Sequence, residues 1–234
     1  LTLNNVLNNQ DTFMSLYKQY NEGNRDIVLI DKLSKKSEDR QDDILSSELY
    51  NIVLDRKSEF DIKIYERAKY YFAKKGLKND DTSPIKLFIS EYKDSDNLGS
   101  AYMALIRFYA SKKDTLQEVE TYKNMIDIFL PSDIIPISGK SSFLNSYAWR
   151  MSELELNLED ALLKSIYSIK IVDSLGVDVA SRKPMLLDTK AEILWKMNKI
   201  DEALTVINQA IEMDPESQYY QEQKTKFQNS KKGN

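Results

Sequence analysis

Cysteine and histidine are both absent from the 234 residues, and glycine (6) and proline (5) are scarce. Without thiols or imidazoles the chain cannot form disulfides, cysteine nucleophiles, histidine bases or the Cys/His ligand sets of structural zinc. An all-β chain of this length would need many more glycines and prolines in its turns. These absences predict an all-helical protein and exclude most familiar catalytic sites.

The sequence also lacks an excess of positive charge and a long hydrophobic run. Lys and Arg number 33 against 37 Asp and Glu, which gives a net charge of −4, so no broad basic surface is available to neutralise nucleic-acid phosphates. No stretch of about 18 apolar residues occurs, so we expect no membrane span. We expect a protein or peptide partner, no nucleic acid, no cofactor and no metal.

Apolar residues do recur at three- and four-residue spacing along most of the chain, which predicts amphipathic helices. Gly23 is expected to close the first helix, and the charged segment 35–43 to be a solvated turn. Ser58 is expected to cap the helix that Gly76 ends, and Ser83-Pro84 to start the next. The expected helical segments before residue 131 are 12–20, 27–33, 44–53, 60–72, 85–92, 101–110 and 116–130.

Residues 131–139 are the expected non-helical linker, because Pro131 cannot continue the preceding helix. We therefore predict two regions. Residues 1–135 form an irregular helical-repeat region, and residues 136–234 form helix pairs followed by a C-terminal capping helix. Since the chain begins at Leu1 and no signal-peptide pattern follows, we also expect it to be a fragment of a longer protein.

An internal repeat is visible near the C-terminus. Leu187, Ala191 and Leu194 are followed on the next predicted helix by Ala203, Ile207 and Ala210, and then by Pro215. Small residues at these positions allow two antiparallel helices to approach closely. The segment 184–217 resembles a 34-residue tetratricopeptide repeat, although it has Lys190 and Asn198 where that family usually has leucine and glycine.

A second unit, 141–174, resembles the same repeat less closely. It matches through Tyr147-Ala148, Ala161 and Ser168, and the connection 174–183 that follows it is longer than usual. The resemblance implies a fold in which antiparallel helix pairs stack as a right-handed α-solenoid, irregular in the N-terminal half.

A longer resemblance covers scattered parts of the chain. The string 144–149 (LNSYAW), Leu187-Asp188-Thr189 with Ala191-Glu192, and the early Tyr20…Gly23-Asn24-Arg25-Asp26 are similar to the helical region that follows the thioredoxin-fold domain in some Bacteroidota thioredoxin-family proteins. In those proteins the redox dithiol lies in the preceding domain. The resemblance implies a non-catalytic half and a periplasmic or cell-envelope location, with the cytoplasm as the alternative.

In a tetratricopeptide array, partner peptides usually bind the concave surface formed by the first helix of each unit. Large aromatic rings in such a groove often anchor a ligand, but packing between repeats would also explain both tryptophans. We expect Tyr219, Tyr220 and Phe227 to cap the open end of the array rather than to bind anything. The predicted groove residues are Asn145, Trp149, Glu153, Met185, Asp188, Glu192, Trp195 and Lys196.

Two further patterns partly match known kinds of site. Asp94, Asp96 and Gly99 match part of a calcium loop, but Leu98 and Leu105 occupy positions that need oxygen ligands, so we expect a helix-entry turn. The carboxylate pairs Glu59/Asp61 and Asp188/Glu192 have the composition of acid–base pairs, but we expect solvated surface charge.

The sequence therefore predicts a protein that is not an enzyme and has no catalytic residues. We expect a protein–protein interaction or scaffolding module with a tetratricopeptide-like groove. The alternative is an accessory helical domain of an envelope thiol–disulfide oxidoreductase whose catalytic domain lies outside this chain. Its partner would then be a thioredoxin-fold domain of the same polypeptide.

Overall fold

A computed structural model describes residues 3–133, 135–176 and 181–232, and these residues form twelve α-helices and no β-strand. The all-helical prediction is confirmed for this part of the chain. Short 3₁₀ turns lie at Lys57–Glu59 and Leu77–Asn79. The helices are α1 (Leu3–Asn21), α2 (Ile27–Asp39), α3 (Asp43–Asp55), α4 (Ile62–Gly76), α5 (Ser83–Glu91), α6 (Leu98–Ser111), α7 (Thr115–Phe129), α8 (Ile137–Leu154), α9 (Leu158–Leu175), α10 (Lys183–Lys196), α11 (Ile200–Met213) and α12 (Gln218–Lys232).

The chain forms two compact units, residues 1–121 and 122–234. The first unit has two groups of buried apolar side chains, one built by α1 to α4 around Ile30, Leu33 and Leu49, the other by α4 to α6 around Ile85 and Phe88. In the second unit, α10, α11 and α12 enclose a core that includes Ala191, Ile207 and Phe227. The predicted boundary at 135/136 lies between α7 and α8, whereas the units divide within α7.

The same three-residue turn joins four helix pairs. In each, the residue after the left-handed position donates its N–H to the carbonyl five residues earlier: Asp42 to Ser37, Asp114 to Tyr109, Leu156 to Met151 and Lys199 to Leu194. This is the Schellman arrangement that ends many helices. The left-handed residues are Gln41, Lys113, Glu155 and Asn198, with φ of 59°, 57°, 54° and 60°.

Asn198 is the left-handed residue of the turn between α10 and α11, with φ +60°. Asparagine is one of the few side chains that adopt this conformation readily. The turn therefore forms without glycine.

Small residues lie where the helices of unit 2 approach closely. Ala191, Ala203 and Ala210 are fully buried, as the repeat pattern predicts. In the preceding pair, Ser141 near the start of α8 and Ser168 in the second half of α9 bond each other, with Oγ–Oγ 2.9 Å and each hydroxyl close to the other's carbonyl. At the other end of this pair, the Tyr147 hydroxyl donates to Asp160 at 2.7 Å. Together these bonds show that α8 and α9 run antiparallel to each other.

Three local predictions need correction. The segment 35–43 is not a solvated turn throughout, because α2 continues to Asp39 and Ser37 is buried. The cap of α4 is Asp61, whose carboxylate accepts from the Lys63 N–H, rather than Ser58, which lies in a 3₁₀ turn. The linker predicted at 131–139 is shorter, since α8 begins at Ile137.

Other local predictions agree with the structure. Gly76 ends α4, and a Cβ there would lie 2.8 Å from the carbonyl oxygen of Asp81, so this close approach requires glycine. Gly23 follows α1 with φ +93°. Ser83 and Pro84 begin α5. In the connection predicted at 174–183, residues 177–180 lie outside the described residues.

Among the helices that the structure describes, none combines the length and apolar character that crossing a bilayer requires.

Candidate functional site

A pocket of about 320 Å³ lies among α8, α10 and α12 in the second unit. Asn145 and Trp149 on α8, and Met185 and Asp188 on α10, are three or four residues apart and so project from the same side of their helix. We call this cavity the α8–α10–α12 pocket. Its lining is Asn145, Ser146 and Trp149 from α8, Met185, Asp188 and Thr189 from α10, and Tyr219 and Tyr220 from α12.

The pocket has buried polar residues and an exposed rim. Asn145, Asp188 and Thr189 retain only 8%, 4% and 2% of their surface. Met185 and Tyr219 are about half exposed. A mostly apolar wall with a few buried polar groups is typical of sites that bind small molecules or side chains.

Asp188 is the only ionisable carboxylate in the lining, and its environment is unusual. Its Oδ2 accepts a hydrogen bond from the Tyr219 hydroxyl at 3.1 Å. Burial raises the pKa of Asp188 to about 6, the Tyr219 hydrogen bond and the Lys226 ammonium lower it, and the Glu192 carboxylate raises it. The carboxyl group is therefore mostly ionised at neutral pH despite its burial.

Two hydrogen-bond acceptors of the pocket have no partner. Among the described residues, three buried side-chain oxygens lack one: Asn145 Oδ1, Asp188 Oδ1 and Ser165 Oγ. The first two belong to residues that line the pocket. Since buried polar atoms are nearly always hydrogen-bonded, each exception needs an explanation. A ligand that donates to both oxygens supplies one.

The structure places four of the predicted groove residues in this pocket: Asn145, Trp149, Met185 and Asp188. The Asp188 and Glu192 carboxylates were predicted to be solvated, and this is wrong, because both are buried. The cause is α12, which covers them: Lys226 donates to Glu192 at 2.5 Å.

The other four predicted residues have partners elsewhere. Glu192 pairs with Lys226, as described above. Glu153 pairs with Arg150 at 3.0 Å, and Lys196 pairs with Glu155 at 2.6 Å. The Trp195 indole donates to Ser230 Oγ at 2.9 Å, and its ring centre lies 5.7 Å from that of Phe227. Trp195 is therefore packed against α12, which is the alternative interpretation of the tryptophans. Trp149, in contrast, lines the pocket.

Tyr219 and Tyr220, which we expect to cap the array, also line the pocket, and their capping role stays a prediction. Phe227 is fully buried in the core, but both tyrosines line the pocket. α12 follows a helix pair along the chain, so its place next to α8 and α10 was a possibility that the sequence order offered.

The other candidate sites have internal partners. Asp96 pairs with Lys63 at 2.8 Å, and no group of three or more acidic residues suited to a metal ion occurs among the described residues. Glu59 pairs with Arg56 at 2.5 Å, and Asp61 caps α4. Residues 92–97 form the turn expected before α6, and Glu59 and Asp61 are exposed, as expected.

Two further pockets are lined by charges that pair with each other. In unit 1, a pocket of about 380 Å³ has Lys74 paired with Glu38 and Lys78 with Asp43. In unit 2, a pocket of about 240 Å³ contains Asp160, which receives both Tyr147 and Lys164. Neither has a buried unpartnered atom in the described residues, so the α8–α10–α12 pocket is the strongest candidate.

No protein-family model matches the chain, and a search of the curated proteins finds no match either. The resemblances to tetratricopeptide repeats and to the thioredoxin-family helical region therefore stay predictions.

Proposed function

We propose that this chain is a non-catalytic interaction module that binds a segment of a partner protein in the α8–α10–α12 pocket. One observation carries the proposal: Asn145 Oδ1 and Asp188 Oδ1, on two different helices, are buried and unpartnered, and both residues line the same pocket. Leaving such atoms unpaired costs about 1–3 kcal/mol each. A bound partner that donates to them recovers that cost.

The proposal includes a tetratricopeptide-like stacking of α8 to α12. It is supported by the shared Schellman turns, by buried alanines at the close contacts, and by the helices that line the pocket. α8 and α10 begin successive helix pairs, and α12 follows the second pair. This is the arrangement in which first helices form a concave binding surface.

Catalysis is not part of the proposal. The chain has neither histidine nor cysteine, and the pocket lining contains a single carboxylate. Acid–base chemistry with carboxylates generally uses two groups whose environments separate their pKa values.

A peptide-display selection against the purified chain tests the proposal. We expect selected peptides to bind the wild type and to lose binding in Trp149→Ala and in Met185→Ala. Met185 is half exposed, so its substitution should leave the fold intact. The matched control is Tyr167→Ala, which removes an aromatic side chain, 45% exposed on α9, outside the pocket. If the selected peptides bind both pocket variants as tightly as the control, the pocket is not the docking site.

A further inference from the structure

Two hydroxyl donors of the α8–α10–α12 pocket are already used within the chain, whereas two of its acceptors have no partner. The Tyr219 hydroxyl donates to Asp188 Oδ2 at 3.1 Å, and the Thr189 hydroxyl donates to the Met185 carbonyl at 3.2 Å. Asp188 Oδ1 and Asn145 Oδ1 remain without partners. A ligand that pairs with both oxygens must bring at least two donors, which a carboxylate cannot do.

The local charge is negative. On α10, Glu192 also faces this region, but its carboxylate is paired with Lys226 of α12. The Lys226 ammonium donates to Glu192 at 2.5 Å and to Gln223 at 3.1 Å. The α8 residues of the lining, Asn145, Ser146 and Trp149, carry no charge. The ionised Asp188 therefore supplies one net negative charge, which a single cation would neutralise.

The walls suit the rest of a basic side chain. Trp149, Tyr219 and Tyr220 supply aromatic rings, and Met185 supplies a flexible apolar side chain at the rim. Aromatic faces attract ammonium and guanidinium groups. The apolar stem of lysine or arginine can lie along such a surface while its head group reaches a polar one.

We propose, building on the function proposed above, that the occupant of this pocket is a basic side chain, lysine or arginine, of the partner segment. Its head group donates to Asp188 Oδ1 and Asn145 Oδ1, and its stem packs against the aromatic rim. Ammonium and guanidinium groups share this chemistry, since each carries a positive charge and at least three N–H donors.

Four small probes separate this chemistry from its alternatives: n-butylammonium for lysine, n-propylguanidinium for arginine, 1-pentanol as a neutral donor and pentanoate as an anion. Binding is followed by the NMR signal of the Trp149 indole, identified with Trp149→Phe. At about pH 7.5 we expect one or both cations to bind about tenfold more tightly than 1-pentanol, and pentanoate not to bind. The better cation identifies which residue the pocket prefers.

Two variants and a change of pH test whether Asp188 and Asn145 bind the cation. Asp188→Asn should remove the preference for cations, and Asn145→Ala should weaken cation binding, while Glu212→Gln, exposed on α11, should change nothing. Because Asp188 has a pKa of about 6, about a tenth of it is ionised at about pH 5, and cation binding should weaken about tenfold there. The inference is overturned if 1-pentanol or pentanoate binds as well as the cations, or if Asp188→Asn retains the preference in a protein that still melts cooperatively.

The two proposals fail in different ways. Selected peptides that bind the pocket but contain no basic residue would overturn the basic side chain and leave the interaction module standing. Cation binding at Asp188 without any pocket-dependent peptide would overturn the interaction module, and the basic side chain of a partner segment with it, and would show that the pocket takes a free cation instead.

Discussion

The Tyr219 hydroxyl on α12 donates a hydrogen bond to Asp188 Oδ2 on α10 at 3.1 Å and itself accepts from the Gln223 amide at 2.8 Å. The Asp188 side chain is only 4% exposed, and the Tyr219 hydroxyl is the hydrogen-bond donor that the structure shows for its carboxylate. This bond ties the last helix to the preceding helix pair. It also helps to keep Asp188 ionised in a buried position, because a hydrogen bond to the charged form favours that form.

Removing the Tyr219 hydroxyl should therefore destabilise the protein and raise the pKa of Asp188 further. We expect Tyr219→Phe to lose about 1.5–3 kcal/mol of unfolding free energy at neutral pH, as is usual for a hydrogen bond to a charged group. Urea unfolding measures the loss, and NMR titration of the Asp188 carboxyl carbon measures the pKa. The control is Tyr220→Phe, which leaves the Asp188 bond intact. An Asp188 pKa unchanged in Tyr219→Phe would contradict the assigned hydrogen bond.

Asp188 itself should lower stability at neutral pH. Its folded pKa is about 6, above the ordinary value of 3.8, so the folded state binds the proton more tightly than the unfolded state does. Stability contributed by the protonated group is present below about pH 4 and is lost as pH rises through about 6. A shift of about two units corresponds to roughly 3 kcal/mol at neutral pH.

We therefore expect Asp188→Asn to be more stable than the wild type above about pH 7, by up to roughly 3 kcal/mol, with the difference shrinking towards about pH 4. Urea unfolding at a series of pH values measures this difference. Glu212→Gln makes the same carboxyl-to-amide change at an exposed position and should show no such pH dependence. Greater stability combined with loss of cation binding would mark Asp188 as a residue kept for function at a cost in stability.

The helices α10 and α11 could be predicted well because small residues mark the places where they pack against each other. Ala191, Ala203 and Ala210 lie at helical spacing, and Pro215 marks the end of the pair. The continuation of α2 through the charged segment was missed because its buried face there is polar. Ser37 is buried and accepts from Ser46 Oγ at 2.9 Å, so hydropathy periodicity does not reveal it.

Only part of the candidate site could be predicted, because helical periodicity does not show which helices pack against each other. The predicted groove contained Asn145, Trp149, Met185 and Asp188, which all line the pocket. Burial of Asp188 depends on α12, whose Tyr219 lies 31 residues further along the chain. Helical periodicity describes one helix at a time, so it could not show that a later helix covers this carboxylate.

The left-handed turns predict a stabilising substitution in the first unit. Lys113 is exposed, with φ +57°, a conformation that costs a side chain with a Cβ about 1–2 kcal/mol. Glycine avoids this cost but loses more entropy on folding, so we expect Lys113→Gly to gain about 0.5–1 kcal/mol. Lys113→Ala removes the same charged side chain while keeping the Cβ. Thermal unfolding that shows equal effects of the two substitutions would exclude the backbone explanation.

Because the helices of unit 2 pack closely, a larger side chain at a buried alanine should destabilise the protein. Ala210 on α11 is fully buried in the core that contains Ala203 and Phe227. Since a packed core has no space for three added carbon atoms, Ala210→Leu should force α11 away from its neighbours and cost about 1–3 kcal/mol. Gln209→Leu, on the adjacent exposed position of the same helix, should stay within about 0.5 kcal/mol of the wild type. Urea unfolding of the two variants separates contact between helices from the effect of leucine on the helix itself. Equal stability of the two would mean that α11 does not approach its partners as closely as its buried alanines indicate.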